Sequence, residues 1–408
     1  MKRRDWLTLT PLFFKCLGKL PTSHLLYLAR QFRHEYPHRH DGKLYINAFF
    51  PPYPSKPFDR FLANTLQGKR VPYSVYFGVT DRCPFKCAHC SYGMHREGRL
   101  TTEQAIDVIG QIKSLSAATI GFTGGEPLMR DDLVELVRAV GEDMSSVLFT
   151  TGHRLTEELA RELKHAGLDT IMIGLESDDL SEHDGIRGVP GSFSEALSAV
   201  ALSRDAGFHT AISTVATKQK IADGKIERMA ELAARHGVHE FRILEPVPTG
   251  RFHHRKDQIL SQAESKQLAD FHKQWNRGNR RPAISAFSHL ESDEMFGCGA
   301  AFHHLFIDAL GNVCPCDLTP LSFGNVLEQP LEDIWIGMGE LFPLPRRGCL
   351  MYDLCKRTDM FEGASQLPLS PQESASLCRT LPTPTSLPGI YSRLFKDRKP
   401  TNPPASRR

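Results

Sequence analysis

The sequence predicts an α/β protein: a partial (β/α)6 TIM-like barrel followed by a small C-terminal cysteine-rich domain. Three observations carry that expectation. Short β-rich runs alternate with helical runs six times between residues 72 and 245. Gly167, Gly207 and Gly237 each stand just past a helical run, where C-terminal caps belong. Past residue 250 the alternation stops and cysteines gather, at Cys298, Cys314, Cys316, Cys349 and Cys355. Alternating strands and helices build parallel sheets through right-handed crossovers, and such barrels carry their active sites at the C-terminal ends of the strands.

Residues 1–70 read as a helical and extended N-terminal segment. "MKRRDWLTLTPLFFKCLGKL" begins with cations and continues with an apolar run, as an export signal does, but Pro11 and Lys15 interrupt the run and no small-residue cleavage site follows. No window reaches the roughly 20 apolar residues of a spanning helix. An amphipathic helix on a cytoplasmic protein is the preferred reading, with peripheral membrane contact as the sharper alternative. A helix near 22–35 leads into "INAFFPPYPSKPF", whose prolines force extended or turn backbone. The histidines of "HEYPHRH" (His34, His38, His40) read as a solvated loop rather than a metal site.

Residues 71–250 form the expected core. Strands read at 73–79, 118–123, 146–151, 169–175, 209–216 and 239–245, with helices at 101–116, 131–142, 156–166, 193–206 and 224–236 between them. Residues 251–297 read as a linker with a helix at 262–277, and 298–362 as the cysteine-rich domain. The Pro/Ser-rich, finally basic stretch 363–408 is expected to be mostly disordered.

Composition narrows the function. A 40% hydrophobic content supports a sizeable core, and a net charge of +3 on 408 residues, without basic aromatic-interleaved stretches, gives no reason to expect nucleic acid. Ten cysteines in close spacings read as metal ligation in a reducing cytosol, not as a disulfide framework.

The first cluster lies in "VTDRCPFKCAHC", with Cys83, Cys87 and Cys90. A structural zinc site closes with four ligands. Three thiolates on a four-iron cluster leave one iron without a protein ligand, and an open position is where chemistry happens. The Cys-x3-Cys-x2-Cys spacing resembles the signature of the radical S-adenosylmethionine (SAM) superfamily. "TGGEP" follows one β/α unit later, on the same rim. The resemblance implies that Gly124, Gly125, Glu126 and Pro127 approach the methionyl end of SAM, with backbone and carboxylate carrying its ammonium. "IGLES" and "HDGIRG" also resemble the family, with departures. Glu176 stands where relatives have an aspartate. It reads either as an acceptor for ribose hydroxyls or as a solvated strand-end acid. Arg187 resembles the arginine that pairs with the SAM carboxylate, the alternative being a surface salt bridge. Thr151 stands where an asparagine is usual.

"CGAAFHHLFIDALGNVCPC" and "CLMYDLC" resemble the SPASM extension or its shorter twitch form. Arg346 and Asp359 occupy positions where the full pattern has cysteines. The short form implies one auxiliary 4Fe–4S cluster on Cys298, Cys316, Cys349 and Cys355. Cys314 competes with Cys316, and a zinc site on the same four cysteines is the bland alternative. Cys16 and Cys378 read as incidental, and His253, His254, His303 and His304 as loop or strand-face residues.

The resemblance implies an enzyme. A reduced 4Fe–4S cluster cleaves SAM to methionine and a 5′-deoxyadenosyl radical, which abstracts hydrogen from a substrate while the protein orients that substrate and excludes solvent. It implies a reductant such as flavodoxin or ferredoxin, and peptide maturation or oxidation of a small molecule or cofactor. The alternatives are a lipid or other apolar substrate, or a non-catalytic iron–sulfur electron carrier. No residue declares itself as the catalytic acid or base.

Overall fold

The computed structural model describes residues 10, 12–47, 49–95, 97–278, 280–357, 367–382, 384–395 and 400–402. A small hairpin, β1 (His38–His40) and β2 (Lys43–Tyr45), precedes the main sheet. Six parallel strands then run side by side: β3 (Ser74–Thr80), β4 (Thr119–Gly124), β5 (Ser145–Thr150), β6 (Thr170–Gly174), β7 (His209–Val215) and β8 (Glu240–Leu244). Their bounds agree with the sequence pattern to within two residues. The pattern works because one face of each strand is apolar. Val75, Phe77 and Val79 of β3 and Ile120 and Phe122 of β4 are buried in one core with Val108, Ile109 and Ile112 of helix Thr102–Ser114. That helix starts where expected, on a reciprocal cap between Thr101 and Gln104.

Both edges of the six-stranded unit are extended. β9 (Ala283–Ala286) joins β8 in parallel, so the expected linker 251–297 carries a seventh barrel strand. "AISA" is only four residues long, three of them small and all of them buried, with no alternation to give it away. On the other edge β10 (His304–Ile307) pairs in parallel with β3, and β11 (Val313–Cys314) pairs antiparallel with β10. The cysteine-rich region is therefore continuous with the core sheet. Arg70 seals the junction: its guanidinium lies 3.9 Å from the Trp335 ring centroid, donates to Trp335 O at 2.8 Å and also bonds Ala301 O.

Two expectations need correction. The histidines of "HEYPHRH" are not a solvated loop. His34 and His38 are buried, and His38 joins His40, His209, His239 and Tyr45 in a ring stack. His209 opens β7 and His239 precedes β8, so the stack plugs the barrel at the N-terminal ends of its strands. Every ring finds a partner: His38 Nδ1 donates to Tyr36 O, His38 Nε2 accepts from His209 Nε2 at 2.9 Å, and His40 Nε2 donates to Gly207 O. The tail is not disordered throughout either. Its described residues form helices Pro371–Arg379 and Gly389–Leu394. Tyr391 is fully buried against Phe302 and Phe395, because its apolar residues recur at helical spacing and find a second core cluster. Among the described residues no helix is long and apolar enough to cross a membrane.

The plug makes stability pH-dependent. Burial holds His38 down to about 4 and His239 down to about 3. The unfolded chain takes protons near pH 6.5 that the folded rings refuse. Stability is full above that pH and falls as pH drops from about 6.5 toward 4, by up to about 1.4 kcal/mol per pH unit for each excluded ring. Urea midpoints measured from pH 7 to 4.5 are expected to fall, and to fall less steeply in His38→Phe, which stacks but does not titrate.

Candidate active site and cluster-binding cysteines

The loop that follows β3 carries Cys83, Cys87 and Cys90, at the C-terminal end of the strand. Three other segments hold its backbone. At its start, Gly125 N donates to Thr80 O and Glu126 N to Arg82 O, both at 2.7 Å. In the middle, Lys86 N donates to Arg187 O at 3.0 Å. At its end, Arg251 N donates to Cys90 O at 2.9 Å. The glycines are required for this approach. A Cβ on Gly125 would sit 2.3 Å from Arg82 O, and one on Gly250 would sit 2.2 Å from Cys90 O. Gly125→Ala is expected to push the cysteine loop off β4 and to lower iron loading after anaerobic reconstitution, while far-UV circular dichroism stays close to that of the wild type.

Glu126 is buried, and its carboxylate is taken up by the chain. Oε1 accepts from Leu128 N (3.1 Å) and Thr150 Oγ1 (2.6 Å), and Oε2 accepts from Thr151 N (2.8 Å) and Thr151 Oγ1 (2.6 Å). Four bonds fill the capacity of a carboxylate. The side chain thus ties the GGEP turn to the end of β5, and the backbone of the turn is what remains for a ligand. Thr151, at the unusual position, is one of its two hydroxyl partners.

Glu176 and Arg187 meet each other beside the cysteines. Arg187 Nη1 donates to Cys87 Sγ at 3.4 Å, and Nη2 lies 3.2 Å from Glu176 Oε1. His89, which stands between two of the cysteines, also reaches Glu176 Oε1 at 3.2 Å, and Lys220 Nζ reaches Oε2 at 3.0 Å. Burial pushes the Glu176 carboxyl up, but the charges of His89, Lys220 and Arg187 outweigh it and hold the group well below the usual carboxylate range. Glu176 is therefore the buried counter-charge of a basic cluster, not a solvated strand-end acid. Gly174 makes room for this: a Cβ there would lie 2.3 Å from Arg187 Nη2. His183 Nδ1 accepts from Glu176 N at 3.0 Å and fixes the strand end. His89, Lys220, Gly250 and Arg251 escape a motif reading because their roles come from packing. Only the position of His89 inside the cysteine loop hints at one.

The donors suit a metal cluster. Cys83 reaches solvent, but the atoms packed round its thiol partly desolvate it; that effect, opposed by the Phe85 amide and reinforced by the charges of Glu126, Cys87 and Cys90, pushes it up to about 12. Burial and the charge of Cys87 also push Cys90 up. The three cysteines share one loop, and Arg187 already donates to the sulfur of Cys87 as it would to a ligating thiolate. Cys83 is the exposed member, facing a cleft of about 720 Å³ lined by Asp81, Arg82, Glu97, Arg99 and Met129.

The second cysteine set reaches the same rim. Cys298 and Cys349 are in thiol contact. Accepting from Cys349 pulls Cys298 down to about 6 and pushes Cys349 well up. Cys316 interacts electrostatically with both. Cys314 lies in β11, and the charges that act on it are those of Asp308 and Asp317, not of the other cysteines. Helix Leu350–Arg357 seats on the loop after β8: Tyr352 Oη donates to Pro246 O at 3.1 Å, and Cys355 Sγ lies 3.6 Å from Pro248 O. His304 Nε2 and Cys316 Sγ each lie 3.3 Å from Asp317 Oδ1, so His304 is a neighbour of this cysteine set rather than a bland strand-face residue. His303 is buried against Tyr391 Oη at 2.8 Å. Asp359 lies outside the described residues.

Residues 78–233 match the model of the radical SAM superfamily, and residues 298–356 match SPASM, an iron–sulfur cluster-binding domain. The AdoMet-dependent heme synthase of Methanosarcina barkeri is 31% identical over 290 residues, which span 65% of this chain and 82% of that one. The chain belongs to the radical SAM superfamily. The AdoMet-dependent heme synthase of Nitratidesulfovibrio vulgaris is 30% identical over 287 residues, 64% of this chain and 78% of that one. Mycofactocin maturase MftC of Mycolicibacterium smegmatis is 30% identical over 298 residues, 69% of this chain and 74% of the relative. Among solved structures, anSMEcpe with bound AdoMet has a TM-score of 0.54 at 16% identity, covering 80% of this chain and 98% of that one. Streptococcus suis SuiB bound to precursor peptide SuiA has a TM-score of 0.56 at 16% identity, covering 65% of each chain. As a radical SAM enzyme with a SPASM domain, the protein uses a 4Fe–4S cluster and SAM, and carries auxiliary iron–sulfur chemistry at its C-terminal domain. Its reaction class is reductive SAM cleavage followed by hydrogen abstraction from a substrate.

Proposed function

We propose that this radical SAM enzyme oxidises a carboxylate-bearing peptide or small cofactor. In this reading Cys83, Cys87 and Cys90 hold the cluster that binds SAM, and the backbone of Gly124, Gly125, Glu126 and Pro127 cradles the methionyl group. Arg187 and Glu176 order that site, and Cys298, Cys316, Cys349 and Cys355 hold one auxiliary 4Fe–4S cluster. Bound together, cluster and SAM supply a 5′-deoxyadenosyl radical that removes hydrogen from carbon. The chain's part is to seat the substrate and keep water out.

The observation that carries the substrate class is Arg242. It projects from β8, is buried, and has an Nε without a hydrogen-bond partner. Nη1 donates to Tyr76 Oη at 3.3 Å, and the nearest carboxylate oxygen, Glu240 Oε1, stands 3.8 Å from Nε. Burial pushes the Glu240 carboxyl up while Arg242 opposes that shift. Strand register sets Arg242 level with Ser213 and Ser285, and Ser213 level with Gly174, the residue under Arg187. A buried guanidinium with a donor to spare suits a substrate carboxylate. The relatives lend support, since they include a peptide cyclase, a mycofactocin maturase and heme synthases. The electron source fits a small carrier such as flavodoxin or ferredoxin, which would approach the exposed side of Cys83.

The test is anaerobic. The reconstituted protein, given SAM and dithionite, is expected to hold about eight irons per chain, as two four-iron clusters require, and to release 5′-deoxyadenosine. Arg242→Gln should retain that uncoupled cleavage and lose the acceleration produced by carboxylate-bearing substrates. Zinc in place of iron, or full iron loading without 5′-deoxyadenosine, overturns the reading.

A further inference from the structure

Six large apolar side chains stand exposed among the described residues, and four of them fall between residues 13 and 26: Phe13 (44%), Phe14 (66%), Leu17 (44%) and Leu26 (66%). All four lie in the N-terminal helical segment. Its inner face is spent on packing, with Leu12 against the Leu44–Ile46–Phe58 cluster and Leu20, Tyr27 and Leu28 against the cluster around Phe296 and Tyr391. On helix Thr22–Phe32, Leu26 and Arg30 lie four residues apart and Arg33 caps the same stripe, all three exposed. Beside that stripe opens a cleft of about 440 Å³ lined by Arg30, Arg33, Lys273, Arg277, His34 and Glu294. Four permanent cations face one acid there, and among the described residues no carboxylate pairs with Arg30, Arg33, Lys273 or Arg277. The first 33 residues hold seven basic residues and one acidic, in a chain whose overall charge is only +3.

From this juxtaposition we propose that the N-terminal helical face docks the enzyme on an anionic lipid bilayer, with Phe13, Phe14, Leu17 and Leu26 entering the interface and the Arg30–Arg33–Lys273–Arg277 cleft receiving an anionic headgroup. Apolar side chains flanked by cations are what an interfacial helix needs, since the apolar area supplies insertion and the cations supply attraction to anionic lipid. Charge complementarity selects this occupant over a second copy of the chain, which would set the same cations against each other. The geometry also leaves catalysis free. Arg277 closes the helix that leads into β9, so the cleft lies at the N-terminal end of that strand, away from the rim that carries the cysteines. This inference does not depend on the substrate proposed above.

The full chain is to be floated with vesicles of phosphatidylcholine alone and of phosphatidylcholine with phosphatidylglycerol. Binding is expected to the anionic vesicles, to weaken as salt is raised, and to resist competition by inorganic phosphate. Arg30→Gln with Arg33→Gln should weaken it by about fivefold per cation removed, and Phe14→Ser with Leu26→Ser should abolish it. Both variants should keep wild-type iron content and SAM cleavage, which shows that they fold. A wild type that stays with the aqueous phase, that binds both vesicles equally, or whose variants float unchanged overturns the proposal. So does a dimer in sedimentation that Phe14→Ser with Leu26→Ser dissolves.

Discussion

Cys83→Ala is expected to lower the iron content from about eight to about four per chain and to bring 5′-deoxyadenosine formation down to the background of the cluster-free protein. The other half of the iron should remain, because the second cysteine set is held by different segments: Cys298 by its contact with Cys349, and Cys355 by the loop at Pro248. Cys83 is the informative choice among the three. It is exposed and its removal leaves no cavity, whereas Cys87 is buried under Arg187 and its loss would mix packing with chemistry. The reciprocal variant, Cys316→Ala, should keep SAM cleavage and lose substrate oxidation. Iron counting and 5′-deoxyadenosine yields on the two variants check this directly. If Cys83→Ala still cleaves SAM, the first cysteine loop is not the site of cleavage. If Cys316→Ala loses all its iron, the two cysteine sets are not independent.

Much of this site was legible in the sequence, because its parts are short motifs whose spacing is itself the chemistry. Cys83, Cys87 and Cys90 and the GGEP turn fall on one rim as soon as the strands before them are recognised, and those strands alternate cleanly. What stayed hidden has a common physical cause. β9 is too short and too small-sided for periodicity. The histidine plug joins side chains from residues 38 to 239, a pairing that only the closed barrel brings about. From sequence Glu126 reads as a ligand contact, and Glu176 as a ribose acceptor or a solvated strand-end acid, because acids at such motifs are free acceptors until their neighbours are known. The fold supplies Thr150 and Thr151 as partners for Glu126, and His89 and Lys220 as partners for Glu176, and none of the four can be read from a motif. The tail misled for a different reason. Its Pro/Ser content dominates its composition, while the few apolar residues that dock it, Ile390, Tyr391, Leu394 and Phe395, are sparse but helically spaced.

Glu176→Gln is expected to destabilise the protein by about 3–5 kcal/mol, the cost of stranding a buried charge, and to weaken SAM binding with it. The carboxylate is 4% exposed and receives Arg187 and His89 on one oxygen and Lys220 on the other, with Thr214 Oγ1 and Val215 N at 3.4 Å. An amide keeps the shape and loses the charge. Its –NH2 must then point at one set of donors, leaving either Lys220 or the Arg187–His89 pair without an acceptor. The effect reaches the cluster loop through Arg187, which holds Cys87 Sγ and the backbone of Lys86. A plain packing role predicts the same loss of stability, so a second variant separates the two. Lys220→Met removes the charge stranded on Oε2, and in the Glu176→Gln background it should restore part of the lost stability although it is damaging alone. The pH dependence gives an independent check. A carboxyl held well below its unfolded range contributes its full stability above about pH 4.3 and loses it only as pH falls further. The difference between wild type and Glu176→Gln should therefore be flat from pH 5 to 8 and shrink in stronger acid. A difference that grows toward low pH, or a double variant no better than Glu176→Gln, would show that charge compensation is not what holds this corner of the barrel together.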